Sequence, residues 1–249
     1  MTVLRDDAES RDAVLDDLVA ANRILAGLEI LDGWGHVSAR DPDESTHFLI
    51  SAARAPALVR RCDLTSVRVQ DGEPTTGARS YIERHIHAGI YRTRPDVTAV
   101  VHCHTDALLP FGATGTPLRP LAHTDAFLID GCPIWDIREA TERDTMLVDT
   151  TDLGDRLATS LGTAPVILMR GHGATIVGRS IHEAVYRAVY TRHAAVVDLA
   201  GRALGPVHYL SFREAHAAAQ SVGKTLDRTW DLWRAQHVPT TCSPGDSDD

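Results

Sequence analysis

The sequence predicts a single α/β domain of mixed strands and helices, and three observations predict it. Segments with helical apolar spacing, at residues 10–31, 80–94, 151–161 and 180–203, alternate with short apolar runs of strand length at 48–51, 97–101 and 166–169. No internal repeat and no linker of biased composition divides the chain, so residues 1–239 read as one unit. With 249 residues, 43% apolar and 24% charged, the chain can bury one sizeable core.

Taken in order, residues 10–31 place Val14, Leu18, Ala21, Leu25 and Leu28 on one helical face, with Gly33 as the stop. Gly33-Trp34-Gly35-His36-Val37-Ser38-Ala39-Arg40 reads as a glycine-bearing turn into a strand, and Phe48-Leu49-Ile50-Ser51 as the next. Ser80-Tyr81-Ile82-Glu83 has the form of a capping box opening a helix that Pro95 stops near Arg94. The strand carrying His102-Cys103-His104 follows at once. Residues 105–140 are turn-rich; a helix over 151–161 (Leu153, Leu157, Leu161) then precedes the strand Val166-Ile167-Leu168-Met169. Ser180-Ile181-His182-Glu183 is a second capping box, opening a long helix to about Ala203, and one or two helices occupy 211–237. Residues 240–249 are polar and read as a disordered tail.

Composition excludes several classes. A formal charge of −9 is the opposite of a nucleic-acid footprint. No stretch approaches the ~18 apolar residues of a membrane span, and residues 1–11 are too charged for a signal peptide. Cys62, Cys103, Cys132 and Cys242 are scattered without CxxC spacing, which points away from a zinc ribbon or a disulfide framework. A reduced, cytoplasmic protein is expected.

The chemistry lies in three of the thirteen histidines. Residues i and i+2 of a strand point to one side, so His102 and His104 can face one point. A third imidazole from the glycine-flanked turn Gly171-His172-Gly173 completes the pattern of an open, catalytic-type metal site. The second HxH, His85-Ile86-His87, is a control. It falls in a predicted helix, where i and i+2 diverge, so His85 is not expected to be a ligand; His87 shares a helix face with Glu83 and can approach the site. Glu83 has two readings at this level: it caps its own helix, or its carboxylate stands beside the metal, binding it at rest and carrying a proton during turnover.

The spacing Glu83 … Tyr91-Arg92-Thr93-Arg94-Pro95-Asp96-Val97 … His102-x-His104 … Gly171-His172-Gly173 resembles the class II aldolase/adducin family over roughly residues 12–205. The resemblance implies an α/β/α layered domain around a central, mainly antiparallel sheet. It also implies a homotetramer with active sites at subunit contacts, His102, His104 and His172 as metal ligands, and Glu83 as the acid/base. Imidazole and carboxylate suit zinc, manganese or iron alike.

The departures from the family pattern are equally informative. The glycine-asparagine-x-serine turn that holds phosphate in the sugar-phosphate members is here Gly35-His36-Val37-Ser38. Their proline-serine/threonine-glycine turn is Ala52-Ala53-Arg54, and the paired serines before the acid/base are Tyr81-Ile82. The phosphate cradle is dismantled, and cations suited to planar carboxylates stand in its place. Arg54, Ser51, His36, Arg119 in Pro117-Leu118-Arg119-Pro120 and His123 form the candidate substrate-binding set. Segments 51–59 and 110–120 look most like the family's decarboxylase branch.

The expected reaction is decarboxylation of an ortho-hydroxy aromatic or pyridine (di)carboxylate. The metal stabilises an enolate-like charge, Glu83 delivers a proton to the ring carbon, and a second carboxylate rests on Arg54 or Arg119. The alternatives are an aldolase acting on an unphosphorylated hydroxy-keto acid, an iron-dependent oxygenase, and a non-catalytic adducin-like scaffold. Tyr209, Trp230 and Trp233 are residues that could reach across a subunit contact.

Overall fold

The computed structural model describes residues 10–77 and 79–239. The expected polar tail at 240–249 lies outside them. Helix α1 (Arg11–Gly27) starts where Ser10 Oγ accepts from the Ala13 N–H. It ends before residue 31, because Glu29 takes a left-handed φ of 57°. The apolar period continues past that point only because Ile30 and Leu31 fold back, bonding through their N–H groups to the Leu25 carbonyl and staying buried.

Strands β1 (His36–Arg40), β2 (His47–Ser51) and β3 (Leu64–Arg68) form a meander. Helix α2 (Arg84–Thr93), strand β4 (Ala99–Cys103), the short helix α3 (Leu109–Thr114) and strand β5 (Ile134–Trp135) follow. Then come α4 (Thr151–Leu161), β6 (Val166–Met169), β7 (Gly173–Gly178), α5 (Ile181–Leu204), α6 (Phe212–Val222) and α7 (Leu226–His237). Among the described residues seven strands make one sheet in the order β3-β2-β1-β4-β7-β6-β5, antiparallel except for β5–β6. The layered, mainly antiparallel α/β architecture is therefore the one expected. Strands β3, β5 and β7 add to what the sequence predicts, β5 being two residues within the turn-rich segment. Leu64-Thr65-Ser66-Val67-Arg68 has too few apolar positions to show a period, and Gly173-Ala174-Thr175-Ile176-Val177-Gly178 is bounded by glycines.

The sheet is covered on both faces, which is why the central strand β4 and strand β6 read as near-continuous apolar runs. One face packs Leu49, Val101 and Ile176 against α1, α5 and α7 through Leu18, Ile24, Val185 and Trp230. The other packs Phe48, Val100 and Ile167 against α2 and α4 through Ile86, Ile90, Leu153 and Leu157. The pleat of β4 sends Val101 and Cys103 to the first layer, and Val100 and His102 to the second. His102 is thus a buried histidine at the centre of the sheet, paired in register with His36 on β1 and Thr175 on β7.

Helices α2 and α4 approach so closely at Gly89 and Gly154 that a Cβ on Gly154 would run into the His85 carbonyl. Gly154→Ala is expected to force the helices apart and cost about 1–3 kcal/mol. A lowered thermal midpoint with the metal content unchanged would fit that account; an unchanged midpoint would contradict it. No helix among the described residues is long and apolar enough to cross a membrane.

Candidate metal centre and its cavity

His102 sits in β4 and His104 one residue beyond it, so the strand geometry brings both rings to one side. His172 occupies the tight turn between β6 and β7, where Gly171 and Gly173 have φ of 68° and 157°. A side chain on Gly173 would strike the Cys103 carbonyl and the His104 backbone, so only glycine lets this turn close on the end of β4. The three Nε2 atoms then lie 3.2–3.3 Å from one another.

Glu83 completes the group, with Oε2 at 3.5 Å from His102 Nε2 and 3.3 Å from His172 Nε2. One ligand atom from each of the four residues lies within 4.8 Å of all the others. The helix-capping reading of Glu83 does not hold. Helix α2 begins at Arg84, Glu83 makes no side-chain cap, and the Ser80 hydroxyl is buried without a partner. Glu83 Oε1 instead accepts from the Val148 N–H at 3.0 Å, which aims the other oxygen at the histidines.

The outer nitrogens decide where the protons are. His172 Nδ1–H donates to the Met146 carbonyl at 2.8 Å, and His104 Nδ1–H to Asp32 Oδ1 at 3.2 Å. His102 Nδ1–H donates at 3.1 Å to the Thr175 hydroxyl, whose own hydrogen goes to the Met169 sulfur. A neutral imidazole has a single N–H, so all three Nε2 atoms present lone pairs. Three lone pairs and a carboxylate oxygen facing each other at these distances repel unless a cation lies between them. The donor set fits a divalent metal such as zinc, manganese or iron.

The charge balance points to the same need for a cation, since with protons in its place Glu83 and His172 act as each other's counter-ions. Burial raises the Glu83 carboxyl, but hydrogen bonding and charge from His102 and His172 outweigh it and hold the group well below the usual carboxylate range. Burial depresses His102 to about 4 despite Glu83. His172 is half-buried, which lowers it, yet Glu83 and the Met146 carbonyl raise it above its ordinary value. Asp32 is exposed; the little burial it has raises its carboxyl, but N–H groups of Trp34 and Gly35, together with His104, hold it below its ordinary value. Because such outer partners orient ligands, Asp32→Ala is expected to weaken metal binding about 10- to 100-fold. Chelator competition measures it, and unaltered affinity would remove Asp32 from the site.

Beside this group opens a cavity of about 500 Å³, lined by Trp34, His36, Arg54, Arg79, Tyr81 and Glu83 among others. His36 packs on Tyr81 and His102 with ring centroids 4.5 and 5.1 Å away. Ser51 stands one layer behind: it is buried and its hydroxyl is 3.0 Å from the Tyr81 hydroxyl, which donates to the Arg54 carbonyl. Arg54 Nε donates to the Leu58 carbonyl at 2.6 Å and lies 3.4 Å from Asp63. Arg79 and Trp34 are cavity residues that sequence reasoning does not single out, and Tyr81 is one it notes only as standing where the family has a serine. Arg79 carries no motif; it is joined to the Arg54 segment by a backbone bond from Ala53 N–H to its carbonyl, 2.8 Å long.

Two members of the candidate set lie elsewhere in the chain. Arg119 stacks on Tyr209 at 4.3 Å. His123 lines a separate gap of about 100 Å³ beside Tyr186 and Arg187 of α5. The Pro117–Pro120 turn is tied to the segment at Tyr209 by the Leu210 N–H, which donates to the Pro120 carbonyl. Trp230 and Trp233 are buried in their own chain's core, and Tyr209 also bonds Asp198 and Arg202. His85 is outside the metal group, wedged against Gly72 and α4; His87 reaches the site only through His36, at 2.7 Å.

Comparison with known proteins follows the same lines. The family described as Class II Aldolase and Adducin N-terminal domain matches residues 16–199. Decarboxylase tropJ of Talaromyces stipitatus is 35% identical over 240 residues, covering 86% of this chain and 90% of that protein. The 3,4-dihydroxyphthalate decarboxylase of Arthrobacter keyseri is 30% identical over 208 residues, covering 79% and 78%. In three dimensions the L-fuculose 1-phosphate aldolase of Glaciozyma antarctica PI12 superposes with a TM-score of 0.73 at 22% identity over 96% of both chains, a likeness of fold. The match over most of its length, with the sheet and the convergent histidines, makes this chain a member of the class II aldolase/adducin family.

Proposed function

We propose that the protein is a metal-dependent carbon–carbon lyase that decarboxylates an ortho-hydroxy aromatic or pyridine (di)carboxylate. The observation that carries the reading is the convergence of three bare imidazole nitrogens and Glu83 at the wall of a cavity that also holds two arginines. The names of the two decarboxylase relatives support it.

A divalent metal held by His102, His104 and His172 supplies a Lewis acid for the negative charge left when the carbon–carbon bond breaks. The residues do the rest. Arg54 and Arg79 bind a carboxylate of the substrate and fix the ring in the cavity. Glu83, an ionised carboxylate at the cavity wall, first takes the proton of the substrate's ortho hydroxyl and then delivers it to the ring carbon that loses CO2, so the bond's electron pair ends in a C–H bond and solvent reprotonates the phenolate. Trp34 and Ile82, 76% and 59% exposed at the cavity mouth, leave an apolar rim that a neighbouring subunit can cover, in keeping with a homotetramer whose sites lie at subunit contacts. A reduced cytoplasmic setting belongs to the same proposal.

The test is CO2 release by protein loaded separately with Mn2+, Zn2+ or anaerobic Fe2+ against a panel of ortho-hydroxy benzene and pyridine dicarboxylates. Stoichiometric CO2 from one ring class, without O2, supports the reading. No CO2 across the panel, with aldehyde formed from hydroxy-keto acids, would replace it with an aldolase that has exchanged its phosphate anchor for arginine.

A further inference from the structure

Behind the cavity wall four buried polar groups form a continuous chain that the proposed reaction leaves unused. His36 Nδ1 is 2.7 Å from His87 Nε2, His87 Nδ1 is 2.6 Å from Ser38 Oγ, and Ser38 Oγ is 2.8 Å from the Tyr91 hydroxyl. Tyr91 in turn reaches the Thr98 carbonyl at 3.5 Å. His36 and Ser38 are i and i+2 on β1, and His87 and Tyr91 are i and i+4 on α2, so two regular elements hold the whole row. All four residues are buried, and of them only His36 lines the cavity.

The far end of the row sets its polarity. A carbonyl can only accept, so the Tyr91 O–H donates to Thr98 and the Ser38 O–H donates to the Tyr91 oxygen. Ser38 then accepts from His87 Nδ1–H, and the bare His87 Nε2 accepts from His36 Nδ1–H. The reverse order forfeits the bond to Thr98 and makes one hydrogen bond fewer. Both rings are buried, and among the described residues neither has a carboxylate within hydrogen-bond reach, so each carries a single N–H. His36 therefore has its only N–H turned inward, and its Nε2, which has no hydrogen-bond partner among the described residues, is an acceptor.

We propose that His36 is a specificity-determining residue whose bare Nε2 accepts a hydrogen bond from a hydroxyl of the substrate. The inference rests on the reading of the cavity as a hydroxy-acid site, and it adds the orientation. A lone pair repels a carboxylate oxygen and welcomes an O–H, so the protic edge of the ring faces β1 while the anionic edge faces Arg54 and Arg79. His87, Ser38 and Tyr91 are positioning residues that hold His36 in the accepting form.

Full-length protein labelled with 15N-histidine tests the polarity by NMR, since protonated and bare ring nitrogens are well separated in 15N shift. The His36 signals are assigned by their loss in His36→Gln. The expected wild-type state is Nδ1–H. Tyr91→Phe removes only the terminal hydroxyl, so Ser38 donates to His87 Nδ1 instead, and His36 is expected to switch to Nε2–H. Should that variant not fold, Ser38→Ala removes the acceptor for His87, and His36 is expected to lose its single tautomer. Calorimetry of metal-loaded protein with a dihydroxybenzoate and its monomethyl ether supplies the second arm. Wild type is expected to bind the hydroxyl form about tenfold more tightly, and Tyr91→Phe to lose that preference.

A wild-type His36 protonated at Nε2 overturns the proposal, as does equal binding of hydroxyl and ether. Failure of both ligands to bind, with the tautomer as expected, refutes the substrate reading and the hydroxyl assignment with it.

Discussion

His102→Ala is expected to lose both the metal and turnover, the largest single effect at this site. His102 is wholly buried at the centre of the sheet, and its Nε2 closely approaches His104, His172 and Glu83 alike. Removing it leaves two imidazoles and a carboxylate, with no donor from within the strand on the inner side. A Lewis acid contributes several kcal/mol of transition-state stabilisation, and at about 1.4 kcal/mol per tenfold its loss is three or more powers of ten in rate. Metal analysis after dialysis and CO2 release read the two losses separately. Because truncating a buried ring also removes packing, the wild-type protein stripped with a chelator is the matched control. It should show the same loss of activity, restored by adding Mn2+, Zn2+ or Fe2+. Undiminished turnover in metal-free protein would end the metal-dependent reading.

Glu83→Gln is expected to separate binding from chemistry. The amide oxygen can still accept from the Val148 N–H, so the loop at 146–148 and the carbonyl that orients His172 stay in place. The metal should therefore load to one equivalent when supplied in excess, while the proton-carrying group is gone. General acid–base catalysis is worth about 10²–10⁴-fold, and kcat should fall by that much with little change in KM. Wild-type kcat in this variant would exclude Glu83 from proton transfer, whereas loss of the metal would make it chiefly a ligand.

Much of the fold and of the metal centre is legible in the amino-acid sequence. His102 and His104 are recognisable because strand geometry is local: a period of two makes i and i+2 neighbours regardless of what surrounds them. The long helices and the strand at 166–169 are legible for the same reason, their apolar periods being long enough to read. The predicted first helix runs past the end of α1, because Ile30 and Leu31 continue its period while folding back on Leu25. Strand β3 is invisible to pattern, because five residues with alternating partial burial carry almost no period.

At the site, Glu83 shows the limit most clearly. Ser80 and Glu83 have the spacing of a capping box, and nothing in the sequence distinguishes that from a catalytic carboxylate. The Val148 N–H, sixty-five residues away, holds Glu83 off the helix end and turns its other oxygen toward the histidines. Asp32 carries no signal beyond its place near a helix stop, and Arg79 none beyond its place in a loop. Each owes its role to a contact made across the fold.

The sequence by itself determined the donor types and the strand and turn that present them, since these are properties of short segments. Only the tertiary structure decided which nitrogens carry protons, which arginines share the cavity and which carboxylate closes the site. Those depend on partners distant in sequence, and a lone pair or an ion pair has no meaning until both of its ends are fixed in space.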